Sequence, residues 1–130
     1  MAERQAIVLI DGGLSELPSG DTLYTGLTIT IGSEITASRN ISNSDLAGQL
    51  FYDVNSSSDI VLTVPDTLTG TEPVTIQKIG SGSVSFAEGA NVTIQALDDN
   101  MFLAGLYASA TLIPKGSNVY GLVGALSDGT

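Results

Sequence analysis

The run Asp59-Ile-Val-Leu-Thr-Val-Pro65 opens the stretch that decides how this chain folds. The stretch continues through Pro73-Val-Thr-Ile-Gln-Lys-Ile79. It closes with Leu106-Tyr-Ala-Ser-Ala-Thr-Leu-Ile113 and Asn118-Val-Tyr-Gly-Leu-Val123. Each piece is short and rich in Val, Ile, Leu and Thr, whose branched side chains pack well on a pleated surface. Gly, Ser, Asn and Pro separate the pieces, as strand-bounding turns require. The reading is a series of short β-strands.

Working outward, residues 49–54 form another strand, with Leu50, Tyr52 and Val54 on one face and Phe51 on the other. The polar loop Asn55-Ser-Ser-Ser58 then predicts a hairpin into residues 60–64. Pro65 ends that strand because it has no N–H to give a ladder. Val74 and Ile76 share a face, and the phase shifts at Lys78-Ile79, which predicts a bulge or strand end. Gly80-Ser-Gly82 reads as a tight turn. Val84 and Phe86 are expected to share a face with Val92 and Ile94 on the next strand. Residues 106–113 read as one long strand with Ala108 and Ala110 beside Leu106 and Leu112. Residues 114–118 read as the turn into a last strand.

Upstream, Leu27-Thr-Ile-Thr-Ile31 alternates apolar and polar with period two, the pattern of a half-buried strand. Ser42-Asn-Ser-Asp-Leu-Ala-Gly-Gln49 interrupts the β pattern. Ser44 as N-cap, Asp45 in the first turn and Gly48 as a stop predict one short helical turn. About eight or nine short strands at this spacing predict an all-β fold, a small antiparallel β-sandwich or barrel.

Residues 1–26 read as an extended N-terminal arm, residues 27–126 as the β domain and 127–130 as a loose tail. Ala6-Ile-Val-Leu-Ile10 is a single strand's length of apolar sequence, ended by Asp11-Gly-Gly13. Pro18 and Gly20 oppose a helix after it. Ile7, Val8, Leu9, Ile10, Leu14 and Leu17 are the expected partner-binding residues, since an unpaired apolar strand invites pairing. The alternative is that this strand joins the domain's own sheet. No signal peptide or transmembrane helix is expected from the amino-terminal sequence.

The 130 residues suit one domain and are 42% hydrophobic, enough to fill a core. Four Lys and Arg against fourteen Asp and Glu give a net charge of −10. Such a chain repels phosphate backbones and anionic bilayers, so neither nucleic acid nor membrane is expected as a partner. The charge is read mainly as a solubility device. With no Cys and no His, the chain has no disulfide, no thiolate metal site and no His-based nucleophile system.

The run Asp45-Leu-Ala-Gly48, Leu50-Phe-Tyr-Asp53, Val61-Leu-Thr-Val-Pro65, Val74-Thr-Ile76, Gly80-Ser-Gly-Ser-Val-Ser-Phe86, Val92-Thr-Ile94, Tyr107-Ala-Ser-Ala-Thr-Leu-Ile113 and Asn118-Val-Tyr120 resembles a small β module of tailed-bacteriophage virion proteins. It covers about the last two-thirds of the chain. Glu16-Leu-Pro-Ser-Gly-Asp-Thr-Leu23 also resembles a segment of phage structural proteins. The chain departs from that pattern in placing Tyr120 where a Trp is common. The resemblance implies a structural virion protein, not an enzyme. With no long shaft, the chain is expected to decorate the capsid exterior as a homotrimer, its arm binding the major capsid protein. Its expected location is the virion's capsid surface, after synthesis in the host cytoplasm. The alternative is a tail-fibre or tail-tip module that binds host-surface glycans, for which Tyr24, Tyr52, Tyr107 and Tyr120 are the candidate aromatics.

Other constellations have plainer readings. Asp53, Asn55 and Asp59 space oxygens like a calcium loop, but the places that need Gly and Glu hold Ser58 and Val64. Asp98 and Asp99 are adjacent, whereas hydrolytic carboxylates flank a bond across a cleft. Lys78 and Lys115 are isolated surface charges. No catalytic residue, metal or cofactor is expected.

Overall fold

A computed structural model describes residues 28–130. Ile7, Val8, Leu9, Ile10, Leu14 and Leu17 lie outside the described residues, as do Tyr24 and the whole of the expected arm, residues 1–26.

The described chain is all-β. It contains eleven strands: β1 (Thr30–Ile31), β2 (Arg39–Asn40), β3 (Leu50–Val54), β4 (Ile60–Val64), β5 (Val74–Lys78), β6 (Val84–Glu88), β7 (Thr93–Ala96), β8 (Phe102–Leu103), β9 (Ser109–Gly116), β10 (Val119–Gly124) and β11 (Leu126–Ser127). They form a six-stranded sheet in the order β1-β3-β5-β9-β10-β7 and a five-stranded sheet in the order β11-β8-β6-β4-β2. One hydrophobic cluster joins the inward residues of both sheets, with Leu62, Val64, Val74, Ile76 and Leu112 at its centre.

The sheets are mixed rather than antiparallel. Five of the nine strand pairings are parallel: β1 with β3, β3 with β5, β2 with β4, β4 with β6, and β7 with β10. The chain alternates between the two sheets as it advances, which gives solenoid-like stacking. Leu50 lies opposite Val74 in one sheet and Ile60 opposite Val84 in the other, the same offset of 24 residues. Backbone hydrogen bonds continue round the corners: Asn55 N–H donates to Ile35 O, Ile79 N–H to Val54 O, and Gly82 N–H to Ser56 O. Each coil therefore satisfies the backbone groups of the next.

This arrangement corrects the predicted hairpin across residues 55–58. The loop is a corner, and β3 and β4 lie in different sheets. A four-residue polar loop can do either, because length and polarity do not specify the angle between the strands it joins. The glycines at the next corner show what stacking demands. A Cβ at Gly80 would strike the backbone of Ser56, and one at Gly82 the backbone of Ser58. Likewise β6 and β7 belong to different sheets, so Val84 and Phe86 meet Val92 and Ile94 through the common core and not on one sheet face.

Three further readings shift. The helical turn is a 3-10 helix at Asn43–Leu46 with Ser42, not Ser44, as its N-cap. The strand predicted over 106–113 is β9, which begins at Ser109 and runs through Pro114, while Leu106 and Tyr107 sit exposed in the turn before it. The period-two alternation at 27–31 is present, but Ile29 and Ile31 face solvent rather than the core.

The stack ends by an insertion. β7 does not lie on β5; the hairpin β9–β10 intervenes, antiparallel to β5 on one side and parallel to β7 on the other. Its turn is Ser117-Asn118, with φ values of 57° and 61°. Two successive left-handed residues make the type I′ turn whose twist matches a tight hairpin.

Candidate interaction surface and the adjoining polar network

The outer face of the six-stranded sheet is the first candidate. In a strand, alternate residues point to opposite faces. Val54, Val74, Ile76, Leu112 and Leu122 point inward and are buried. Their neighbours form a row across the outer face. Ile31 lies opposite Phe51, Phe51 opposite Thr75, Thr75 opposite Thr111, and Thr111 opposite Val123. The hydroxyls of Thr75 and Thr111 hydrogen-bond at 2.8 Å within this row. Leu97 extends it at the far edge, where it and Val123 line one hollow with Gln95 and Asn100. Ile29 and Pro73 border a second hollow near β1, and Ile113 adds a further exposed apolar side chain on β9.

The exposures are large for such residues: 79% for Leu97, 68% for Ile31, 61% for Ile29 and 55% for Val123. Scattered surface apolar residues need no explanation, whereas a contiguous set marks an interaction site. Charge is scarce on the same face. Of the outward residues of the central strands, Asp53 and Lys115 carry charge, of opposite sign, and Lys115 donates to Gln95 at 2.7 Å. The outer face of the five-stranded sheet differs. There Val61 is marginally exposed, Ser85 is buried, and Phe102 packs beneath Gly129.

The second candidate is a cleft of about 430 Å³ beside the first coil, lined by Glu34, Thr36, Ser38, Arg39, Asp45 and Tyr52 among others. Its floor is an ion pair. Asp45 is 2% exposed and receives Arg39 in fork geometry, at 2.6 Å and 3.1 Å. Tyr52 Oη donates to it at 2.7 Å and the Ser42 N–H at 2.8 Å. The Arg39 guanidinium also lies 5.4 Å from the centroid of the Tyr52 ring, within cation–π range. Burial alone would push the Asp45 carboxyl up. Donation from Arg39, Tyr52 and the Ser42 N–H outweighs it and holds the group below its ordinary value. The bond to Asp45 raises Arg39, while burial and the same carboxylate raise Tyr52. Arg39, Asp45 and Tyr52 are each already engaged with another of the three. The network ties β2, the 3-10 helix and β3 together.

The remaining sequence candidates separate. Asp53 lies on the outer sheet face, Asn55 at a corner against Gly80, and Asp59 accepts from the Ser83 N–H. Among the described residues no group of three or more carboxylates could hold a metal ion. Asp98 and Asp99 occupy successive left-handed positions in an exposed turn. Tyr120 is in the core, Tyr52 in the network, and Tyr107 is exposed. Among the described residues no helix is long and apolar enough to cross a membrane.

Sequence reading missed the outer face because Ile29, Ile31 and Val123 look like core residues when each strand is read alone. The one signal in the sequence is Phe51, placed on the face opposite Leu50, Tyr52 and Val54; its neighbours in the row come from strands whose pairing the sequence does not give. Compared with known proteins, the chain matches no family model, no curated protein and no solved structure.

Proposed function

We propose that the protein is a structural, non-enzymatic component of a phage virion. It decorates the capsid exterior as a small multi-copy assembly, a trimer, and its N-terminal arm, with Ile7 to Ile10 as the anchor, binds the major capsid protein. The observation that carries this reading is the exposed, charge-poor apolar face of the six-stranded sheet. A stacked β scaffold with a face of this kind suits assembly rather than turnover. The polar cleft is compatible with the same reading, since Arg39 and Asp45 on its floor neutralise each other. The resemblance of residues 45–120 to phage virion modules supplies the setting.

The test is attachment. Labelled protein mixed with undecorated capsids should bind stoichiometrically, and protein lacking residues 1–23 should stay folded and multi-copy but fail to bind. Failure of the intact protein to bind would remove the capsid reading. One observation favours a second reading, a tail module that binds glycans: Tyr107 and Leu106 project from one exposed turn, and exposed aromatics commonly line sugar sites. A glycan array with no retained ligand disposes of it.

A further inference from the structure

We infer that the outer face of the six-stranded sheet is the contact between copies of this chain. The inference rests on the proposed self-association of this chain, not on its trimeric copy number, and is independent of the capsid part.

Four features select a second copy over other occupants. First, one row crosses the whole sheet, from the edge strand β1 to the neighbourhood of the edge strand β7, apolar at both ends (Ile31 and Phe51, Val123 and Leu97) with Thr75 and Thr111 between. At ~4.8 Å between strands and ~3.3 Å per residue, the face measures roughly 24 Å by 17 Å before side-chain relief is counted. That is roughly 400 Å² in plan, about half of the ~800 Å² per partner of a standard interface, the size of a weak contact that dissociates on dilution.

Second, the chain carries a net charge of −10, so two copies repel wherever their acidic surfaces meet. On this face they meet without that cost, because its central charges are one Asp and one Lys. A foreign partner drawn by charge would be basic and would settle on the acidic surfaces instead.

Third, those two charges stand at opposite ends of the face along the strand direction. Asp53 shares a row with Gln77 and Ser109 at one end, and Lys115 lies at the opposite end of β9. Two copies stacked face to face with their strands reversed bring the Asp53 end of each over the Lys115 end of the other. A self-complementary patch of this kind is what a two-fold contact requires.

Fourth, the middle of the row carries short side chains. Thr75 and Thr111 bond to each other, so their hydroxyls are satisfied within the chain. Beside the row, the Lys115 side chain lies over Gly121, which has none of its own.

The experiment uses the full chain and size-exclusion chromatography with light scattering over a dilution series. The wild type should show a mass of two or more chains that falls on dilution. The double variant Leu97→Glu, Val123→Glu should weaken association on the order of 100-fold, since it sets like charges against each other at the contact. Its circular dichroism should match wild type, because both positions are solvent-exposed in the single chain. Val61→Glu, on the other sheet, should leave the mass unchanged. The absence of cysteine allows a check that does not depend on charge. Leu97→Cys or Val123→Cys should cross-link between copies with a bismaleimide, and Val61→Cys should not. A wild type that stays a single chain at every concentration overturns the inference. So does an oligomer that survives the double variant, or one that appears only after residues 1–27 are deleted, which would assign the face to the chain's own amino-terminal segment. A two-chain mass lost in the double variant supports the face and corrects the copy number of the proposed assembly.

Discussion

Asp45 shows how much of this fold depends on one side chain. It accepts from Arg39, Tyr52 and the Ser42 N–H while almost wholly buried. Asp45→Asn keeps the shape and removes the charge, so Arg39 loses its counter-ion and the amide cannot accept from all three donors. Removing one partner of a buried pair is more costly than the pair is worth. Because Arg39 is one-third exposed, the cost is about 2–3 kcal/mol, read as a lower urea midpoint at neutral pH. The pH dependence has a definite sign. A carboxyl held below its ordinary value in the folded state contributes stability that is full above about pH 4 and is lost as pH falls through the depressed value. The gap between wild type and Asp45→Asn should therefore narrow on acidification. A gap unchanged between neutral pH and pH ~3 would contradict the network's charged state. Tyr52 acts at the other extreme. Its raised value means that its contribution is present below about pH 10 and is lost as the solution becomes strongly alkaline.

Backbone conformation sets a second test at single residues. A Cβ at Gly82 would overlap the Ser58 carbonyl of the preceding coil, which cannot retreat without breaking the corner hydrogen bonds. Gly82→Ala should lower the melting temperature, by about 1–3 kcal/mol in stability. At Asn118 the left-handed φ of 61° is tolerated by Asn and favoured by Gly. Asn118→Gly should be close to neutral or stabilising. Asn118→Val should cost about 1–2 kcal/mol, since a branched side chain crowds that backbone region. Parallel thermal melts of the two variants read the difference directly.

At the scale of elements, the strands were legible in the sequence and their partners were not. Val61-Leu-Thr-Val-Pro65 announces both a strand and its end, and β4 stops at Val64 as Pro65 requires. Nothing within that run tells whether β4 pairs with β3, its neighbour in sequence, or with β6, a coil later. The distinction lies in the recurrence of corners at Asn55-Ser-Ser-Ser58 and Gly80-Ser-Gly-Ser83, and a strand-by-strand reading does not compare them. The site was less legible still. Apolar alternation names a face but not which side of the sheet it occupies, so Ile29 and Ile31 read as core and lie outside it. Asp45 was legible as a first-turn acid, but its partners Arg39 and Tyr52, six residues before it and seven after, lie on strands of different sheets and meet it only through the coil. Within an element, the core obeys ordinary packing. Leu62, fully buried at the middle of β4, should lose about 2–5 kcal/mol on truncation to Ala. Val61→Ala, one residue away and partly exposed, should lose well under half of that. Chemical denaturation of the two variants compares the inner and outer faces of a single strand.

At the scale of the molecule, two sheets enclose one core while one outer face stays apolar and another is partly covered by the chain's own carboxyl end. That asymmetry separates the two halves of the proposed function. The sheet face is assigned to contact between copies, and the amino-terminal arm to the capsid. Variants of the face should therefore change mass without abolishing capsid attachment of the single chain. Deletion of residues 1–23 should abolish attachment without changing mass. Sedimentation with capsids and light scattering without them measure the two properties separately. A truncation that unfolds the β domain would show that arm and domain are one unit.

The inserted hairpin β9–β10 also fixes where this protein can change length. It closes the stack against β5, and β8 and β11 close the other sheet against β6. The closing strands meet the last coil alone and take no part in the pairing of β1 with β3 or of β2 with β4. A duplicated unit of 24 residues, the interval from Leu50 to Val74, would present the same two edges to the same cap and lengthen the body by ~4.8 Å, one strand spacing. Reach is thus set by counting coils, and a lineage carrying this fold can adjust how far its closed end stands from its first coil in equal steps, with no change to the end itself.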